Sequence, residues 1–306
     1  VLYPPVALAV ATRARELPVA AGWAYEPKLD GYRCCALGGR GLLQSRQGST
    51  AMTSRFPEVL ADLAALGDVV LDGELVALRA GRLVFSALQA GPRRRGRGGI
   101  TAVLVAFDCL SLGERDLRGQ SYSARRTVLE RVLARSRPHV QLIEQTTDPR
   151  AAREWMSPAW GAAGVEGVVA KPVTSRYLPG QRSGWLKIRQ THTREVVVLG
   201  VTEENSLVLG GPGRTGWRVV GLSLPLSREL RTELAERLSL DPDQPEPVRL
   251  PGVATGLPGG PEVTYQPVRP DTVVEIEADT ATEHGRQRHR SRVRRVRPDR
   301  APAELR

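Results

Sequence analysis

From Trp23 onward the chain is cut into short apolar runs, closed by Gly, Asp or Pro, with few stretches of helical period between them. Alternation in WAYEPKLDGYRCCALGG predicts strands on either side of a turn at Asp30-Gly31, and LLQSRQGS predicts another strand and turn. DVVLDGELVAL reads as a strand pair broken at Asp72-Gly73. TAVLVAFDCLSL is a continuous apolar run, as in a buried strand. VQLIEQT, VEGVVAKP and SGWLKIR complete about eight strands. SRFPEVLADLAALG predicts a helix capped by Thr53 or Ser54 and closed by Gly67, YSARRTVLERVLARS an amphipathic helix, and REWMSPAWGAAG a helix interrupted by proline. Strands in the core with helices outside define an α+β class.

A break falls near Gln190–Arg194, and 306 residues allow two domains, read here as 1–192 and 193–306. In the second, EVVVLGVT, SLVLGGPGRTGWRVVGLSL and DTVVEIEA predict strands joined by Gly-rich turns. SRELRTELAERLSL predicts one helix, and DPDQPEPVRLPG a loop. Five or so strands and one helix suit a small β-barrel of the OB type.

The chain has no apolar run long enough to span a membrane and no secretory leader, so we expect a cytoplasmic protein. Cys34, Cys35 and Cys109 lack metal or disulfide spacing. The net charge of +11 suits a polyanionic partner, although a solvated basic surface or drift toward arginine codons would give the same balance. Two segments concentrate that charge. PRRRGRGG at 92–99 reads as a basic, glycine-rich loop. RQRHRSRVRRVR at 286–297 would align alternate arginines on one face of a strand, or else form a solvated tail.

Lysine is the exception in this arginine-rich chain. Of 44 basic residues only Lys28, Lys171 and Lys187 are lysines. Arginine stays protonated and cannot act as an amine nucleophile, whereas lysine can. Where drift replaces every dispensable lysine, the survivors mark positions that arginine cannot fill, and at least one becomes a candidate for covalent chemistry.

All three lie in short motifs. KLDG holds Lys28, EGVVAK holds Glu166 and Lys171, and WLKIR holds Lys187, while SRQG, DGE and AFD fall between them in order. Together they resemble the ATP-dependent DNA ligases of the covalent nucleotidyltransferase superfamily, over residues 26 to 189. A weaker match continues through VVEIEA and RQRHRSRVRRVRPD. The layout is similar to minimal actinobacterial repair and end-joining ligases, either stand-alone or as the ligase part of a larger polypeptide. Only 27 residues precede Lys28, where larger ligases carry a helical DNA-binding domain.

The resemblance implies a fold and a set of roles. The fold would be an adenylation domain of antiparallel sheets with flanking helices, followed by an OB barrel. Lys28 would attack the α-phosphorus of ATP and carry AMP covalently, a step that needs a deprotonated amine. Glu74 and Glu166, read as lying on neighbouring strands, would hold Mg²⁺ or Mn²⁺. Phe107 would stack on adenine, with a core phenylalanine as the alternative. Glu26 would lie near adenine, Arg33 and Arg46 near ribose or phosphate, and Lys171 and Lys187 on phosphates. Arg294, Arg297 and Asp299 would reach pyrophosphate or DNA, although Arg290 departs from the family's usual proline in that last motif. Arg189 stands where the family commonly has a second lysine. Nicked duplex DNA would be the substrate of a monomeric enzyme, bound weakly and salt-sensitively, with Ku-like or polymerase proteins as repair partners. A GTP-using capping enzyme, an RNA ligase, or a non-catalytic OB-type binder would share much of this pattern.

Overall fold

The computed structural model describes residues 2–135, 137–252, 261–283 and 285–305. The chain divides into two compact units, Val1–Gln190 and Thr191–Arg306.

The first unit holds strands β1 (Val10–Ala14), β2 (Trp23–Leu29), β3 (Tyr32–Leu37), β4 (Leu42–Ser45), β5 (Val69–Arg79), β6 (Arg82–Leu83), β7 (Thr101–Leu112), β8 (Arg115–Asp116), β9 (Val140–Leu142), β10 (Val165–Pro172) and β11 (Arg182–Arg189). Its helices are α1 (Pro57–Ala64), α2 (Pro92–Arg97), α3 (Tyr122–Val132), α4 (Pro149–Glu154) and α5 (Pro158–Ala163). One sheet runs β1-β11-β10-β2. The other runs β4-β3-β5-β7-β8, with β6 on β5 and β9 on β7. All pairs are antiparallel except β1 with β11 and β7 with β9.

Period-two alternation sorts the side chains into layers. On β3, Cys34 and Ala36 join Val59 and Leu63 of α1 and Val128 and Leu129 of α3 in one core. Cys35 and Leu37 face the other way, into a core shared with Phe107 of β7 and Trp185 of β11. A third core, on the far side of the four-stranded sheet, packs Tyr25, Val165, Val168 and Ile188 against Ala152 of α4 and Trp155. The two sheets therefore face each other across the core that holds Phe107 and Trp185.

Strands flank Asp30-Gly31 as the alternation predicts, and the two enter different sheets. Other expectations change in three dimensions. Asp72-Gly73 is no turn: β5 runs unbroken through it, with an irregular register against β7. Gly73 is required by close approach instead, since a Cβ there would lie 2.7 Å from the Val105 carbonyl oxygen. The basic segment 92–99 is not a loop, because Pro92 starts α2 and Arg95 anchors it. The Arg95 guanidinium is buried, with donors 2.7 Å from Glu58 and 2.6 Å from the Arg55 carbonyl. Helix α1 takes Phe56 at its N-cap with Pro57 following, while the Thr53 hydroxyl bonds the Leu43 carbonyl. The region 149–163 forms two helices, each opened by proline.

The second unit holds β12 (Thr191–Thr202), β13 (Leu207–Pro212), β14 (Trp217–Leu222), β15 (Val248–Leu250), β16 (Val263–Pro267), β17 (Val273–Asp279), β18 (Thr282–Glu283), β19 (Arg286–Gln287) and β20 (Arg292–Val296), together with α6 (Arg228–Ala235). β12 pairs with β17 along its first half and with β16 along its second, while β13 lies on its other edge. One long strand shared in this way curls the sheet into an OB-type barrel around Val196, Val198, Leu209, Val274 and Ile276. The arginine-rich segment does not form a single strand. It breaks between β19 and β20, Arg288 is buried, and Arg290 pairs with Glu204, so its alternate arginines do not share one face. Among the described residues no helix is long and apolar enough to cross a membrane.

Candidate active site

A cleft of about 710 Å³ opens in the first unit between its two sheets. Strand geometry explains its lining. Glu26 and Lys28 lie two apart on β2 and face the cleft, whereas Tyr25 faces the opposite core. Trp185, Lys187 and Arg189 alternate in the same way on β11. On β10 strict alternation would fail, since Val165 and Val168 both face the far core. A bulge between Val165 and Gly167 supplies the extra residue, with Gly167 at φ +147, and Glu166 turns toward Lys28. Any Cβ on Gly167 would meet the Ile188 carbonyl oxygen at 2.1 Å.

Lys28 is in ion-pair contact with Glu166, and Arg189 lies 3.7 Å from the same carboxylate oxygen. Lys187, half-buried, has its pKa lowered by burial and by the cations Arg189, Lys28, Arg46 and Arg13. Arg46 lines the rim from the exposed turn after β4. The Glu74 carboxyl, on β5 of the facing sheet, is pushed up to about 7 by burial, against the pull of Lys28 and Arg33. Glu74 and Glu166 thus lie in different sheets rather than on neighbouring strands. As hard oxygen donors beside the amine they suit Mg²⁺ or Mn²⁺. Among the described residues no group of three or more metal-binding side chains gathers, so phosphate and water oxygens would complete the coordination.

Arg33 donates two hydrogen bonds of 2.6 Å to Asp72, and Tyr177 donates a third of 2.6 Å. Burial alone would lower the arginine's pKa, but the Asp72 carboxylate overcomes this and raises it. Its guanidinium lies 4.7 Å from the centre of the Phe107 ring, which lines the cleft.

Lys171 departs from the sequence-based reading. It is 1% exposed, lies 2.7 Å from Glu26 and donates to the Phe107 carbonyl at 3.2 Å. The rings of Phe107, Tyr122 and Trp185 surround its ammonium at 4.3–4.8 Å. Its charge is thus committed to Glu26 instead of standing free for a phosphate, because the alternation of β10 carries it into the buried end of the cleft.

Glu26, Lys28, Arg33, Arg46, Glu74, Phe107, Lys171 and Lys187 all line this one cleft, and Glu166 joins them through Lys28. Arg294, Arg297 and Asp299 belong to the second unit. There Arg294 pairs with Glu277 at 3.2 Å, and Arg297 pairs with Asp299 at 2.7 Å and also contacts Glu195. Sequence reasoning missed Asp72, Tyr122, Gln145 and Tyr177, which support the cleft. Asp72 sits within the DGE motif and could have been found there. The other three carry no local signal.

A lysine amine beside a carboxylate, among converging cations and between antiparallel sheets, with an OB unit following, defines the nucleotidyltransferase class. The chain belongs to the ATP-dependent DNA ligase family: residues 8–189 match the model described as the ATP dependent DNA ligase domain. It is similar to DNA ligase C2 of Mycolicibacterium smegmatis, 33% identical over 97% of this chain and 92% of that protein. It is also 34% identical to the multifunctional non-homologous end joining DNA repair protein LigD of Mycobacterium tuberculosis, over 94% of this chain and 37% of that protein. The crystal structure of the ligase domain from M. tuberculosis LigD superposes with a TM-score of 0.55 at 33% identity, covering 98% of this chain and 97% of that one. The protein is an ATP-dependent DNA ligase acting on nicked DNA.

Proposed function

We propose that this ligase seals 5′-phosphate/3′-hydroxyl nicks through AMP held on Lys28, with residues 1–192 as the adenylation domain and 193–306 as the OB domain. The observation that carries the reading is the contact of the Lys28 amine with Glu166, inside a ring of Lys187, Arg189 and Arg46. Lys28 gives its proton to Glu166 or water and forms a bond to the α-phosphorus. The bond from that phosphorus to the bridging oxygen breaks, and pyrophosphate leaves among the cations. Next the 5′-phosphate at the nick takes the adenylyl group and the P–N bond breaks. The 3′-hydroxyl then attacks the activated 5′-phosphorus, and AMP departs. In each transfer positioning and charge neutralisation lower the barrier.

Arg33, fixed by Asp72, and Arg46 orient ribose and phosphate, and Phe107 offers a face to adenine. A Mg²⁺ or Mn²⁺ held by Glu74 and Glu166 would neutralise phosphate charge. Arg294, Arg297 and Asp299 would act on pyrophosphate or DNA only after exchanging their present ion pairs. End-joining repair in the nucleoid, by a monomer recruited through Ku-like or polymerase partners, is the proposed setting, supported by similarity to LigD.

Intact-protein mass spectrometry after incubation with ATP and Mg²⁺ tests the assignment. An adenylyl adduct is expected on wild type and absent from Lys28→Ala, which also loses nick sealing. An adduct that persists in Lys28→Ala would refute it.

A further inference from the structure

The N-terminal segment forms a wall of the cleft that the proposed chemistry leaves unused. Leu8, Ala9, Val10 and Ala11 line it. Two buried side chains fix that wall. Gln44, on β4, donates to the Val6 carbonyl at 2.8 Å and accepts the Val6 N–H at 2.7 Å. The Tyr177 hydroxyl accepts the Ala9 N–H at 3.0 Å. From Val10 onward β1 runs parallel to β11, which ties the segment to the strand that carries Lys187.

The register of that pair decides where Arg13 stands. Arg13 lies beside Lys187, and Ala14 beside Ile188. Ala14 and Ile188 pack into the core on the far side of the sheet, so Arg13, one residue earlier, shares the opposite face with Lys187. Lys187 lines the cleft, and so does Ala11, two residues before Arg13. In keeping with that placement, Arg13 is among the cations that lower the pKa of Lys187. Lys28 and Arg189 share Glu166, and Arg33 is held by Asp72, whereas among the described residues Arg13 has no acid of its own. It is exposed, and it precedes every motif that carries the reaction.

We infer that Arg13 is a further phosphate-binding residue of the cleft, presented by β1 beside Lys187. Holding two cations side by side is unfavourable until an anion lies between them, and a phosphate group supplies that anion. The planar guanidinium can take two phosphate oxygens at once, which the ammonium of Lys187 cannot match in geometry. Two sources share this chemistry: the β- and γ-phosphates of ATP, which leave as pyrophosphate, and the 5′-phosphate at the nick.

The inference rests on the proposed function, and the test separates the two. Calorimetric titration of the full chain with inorganic pyrophosphate needs no adenylation. KM for ATP is read from label transfer, and use of the 5′-phosphate from single-turnover sealing by protein that already carries AMP. Arg13→Gln should weaken at least one source about fivefold, the size of one exposed charge contact, with melting unchanged. A higher Kd for pyrophosphate together with a higher KM for ATP assigns Arg13 to the nucleotide. Slower sealing alone, at subsaturating DNA, assigns it to the nick. Arg13→Lys should restore most of the loss. Arg182→Gln removes an equal charge at the exposed start of β11, outside the cleft lining, and should change none of the three. Arg13→Gln protein that matches wild type in all three would overturn the inference. So would an equal loss in Arg182→Gln, which would reduce the effect to net charge, or a loss with lowered melting that Arg13→Lys does not restore, which would make the role structural. Wild-type protein that binds pyrophosphate but takes no label would sink the adenylation reading, while a weaker Arg13→Gln titration would still support the Arg13 contact.

Discussion

Asp72→Ala should destabilise the protein by about 3–5 kcal/mol, the range for breaking a buried ion pair and leaving its partner uncompensated. The magnitude follows from what Asp72 holds. It is fully buried, and it accepts Arg33 Nε, Arg33 Nη2 and the Tyr177 hydroxyl, each at 2.6 Å. Truncation strands a guanidinium whose side chain is only 22% exposed, together with a buried phenol. Tyr177→Phe removes one of those bonds and also the acceptor of the Ala9 N–H, 3.0 Å away, for about 2–3 kcal/mol. Because the two changes share a bond, the double variant should fall short of the sum by about 1 kcal/mol or more. Urea denaturation of the full chain can be followed by tryptophan fluorescence, since Trp185 lies 5.7 Å from the Tyr177 ring. An Asp72→Ala loss below about 1 kcal/mol, or strict additivity, would refute the view that this network holds the cleft together.

Two further outcomes follow. Gly167→Ala should cost about 2 kcal/mol or more and sharply slow adenylation, since a Cβ at 2.1 Å from the Ile188 carbonyl forces the bulge open and turns Glu166 away from Lys28; unchanged melting and label transfer would contradict this. Lys187 has a lowered pKa, so it loses its charge at a lower pH than a free lysine. KM for ATP should therefore climb on the alkaline side earlier than ordinary lysine titration allows, and Lys187→Arg should delay the climb; superimposable KM profiles would count against it.

The gathering of Lys28 and its motif partners in one cleft and the α+β class were legible in the sequence because each depends on local pattern, short motifs in a fixed order and strand-like runs that alternate with a period of two. What Lys171 does was not legible. Its motif position suggested a phosphate contact, but its partners are Glu26 on β2 and rings from β7, α3 and β11, brought together by long-range pairing. The Asp72-Gly73 pair misled for a related reason. The dipeptide signals a turn locally, yet at Gly73 the missing side chain serves the close approach of β7.

The chain's order of residues thus determined which charged groups are available to line the cleft and roughly where strands begin and end. Tertiary structure decided which of those groups are free and which are committed: Lys28 at Glu166, Lys171 on Glu26, Arg33 on Asp72 and the C-terminal arginines on acids of their own barrel. The physical reason is that ion pairing and desolvation act through distances of a few ångströms between strands far apart in sequence, and only the closed sheets set those distances.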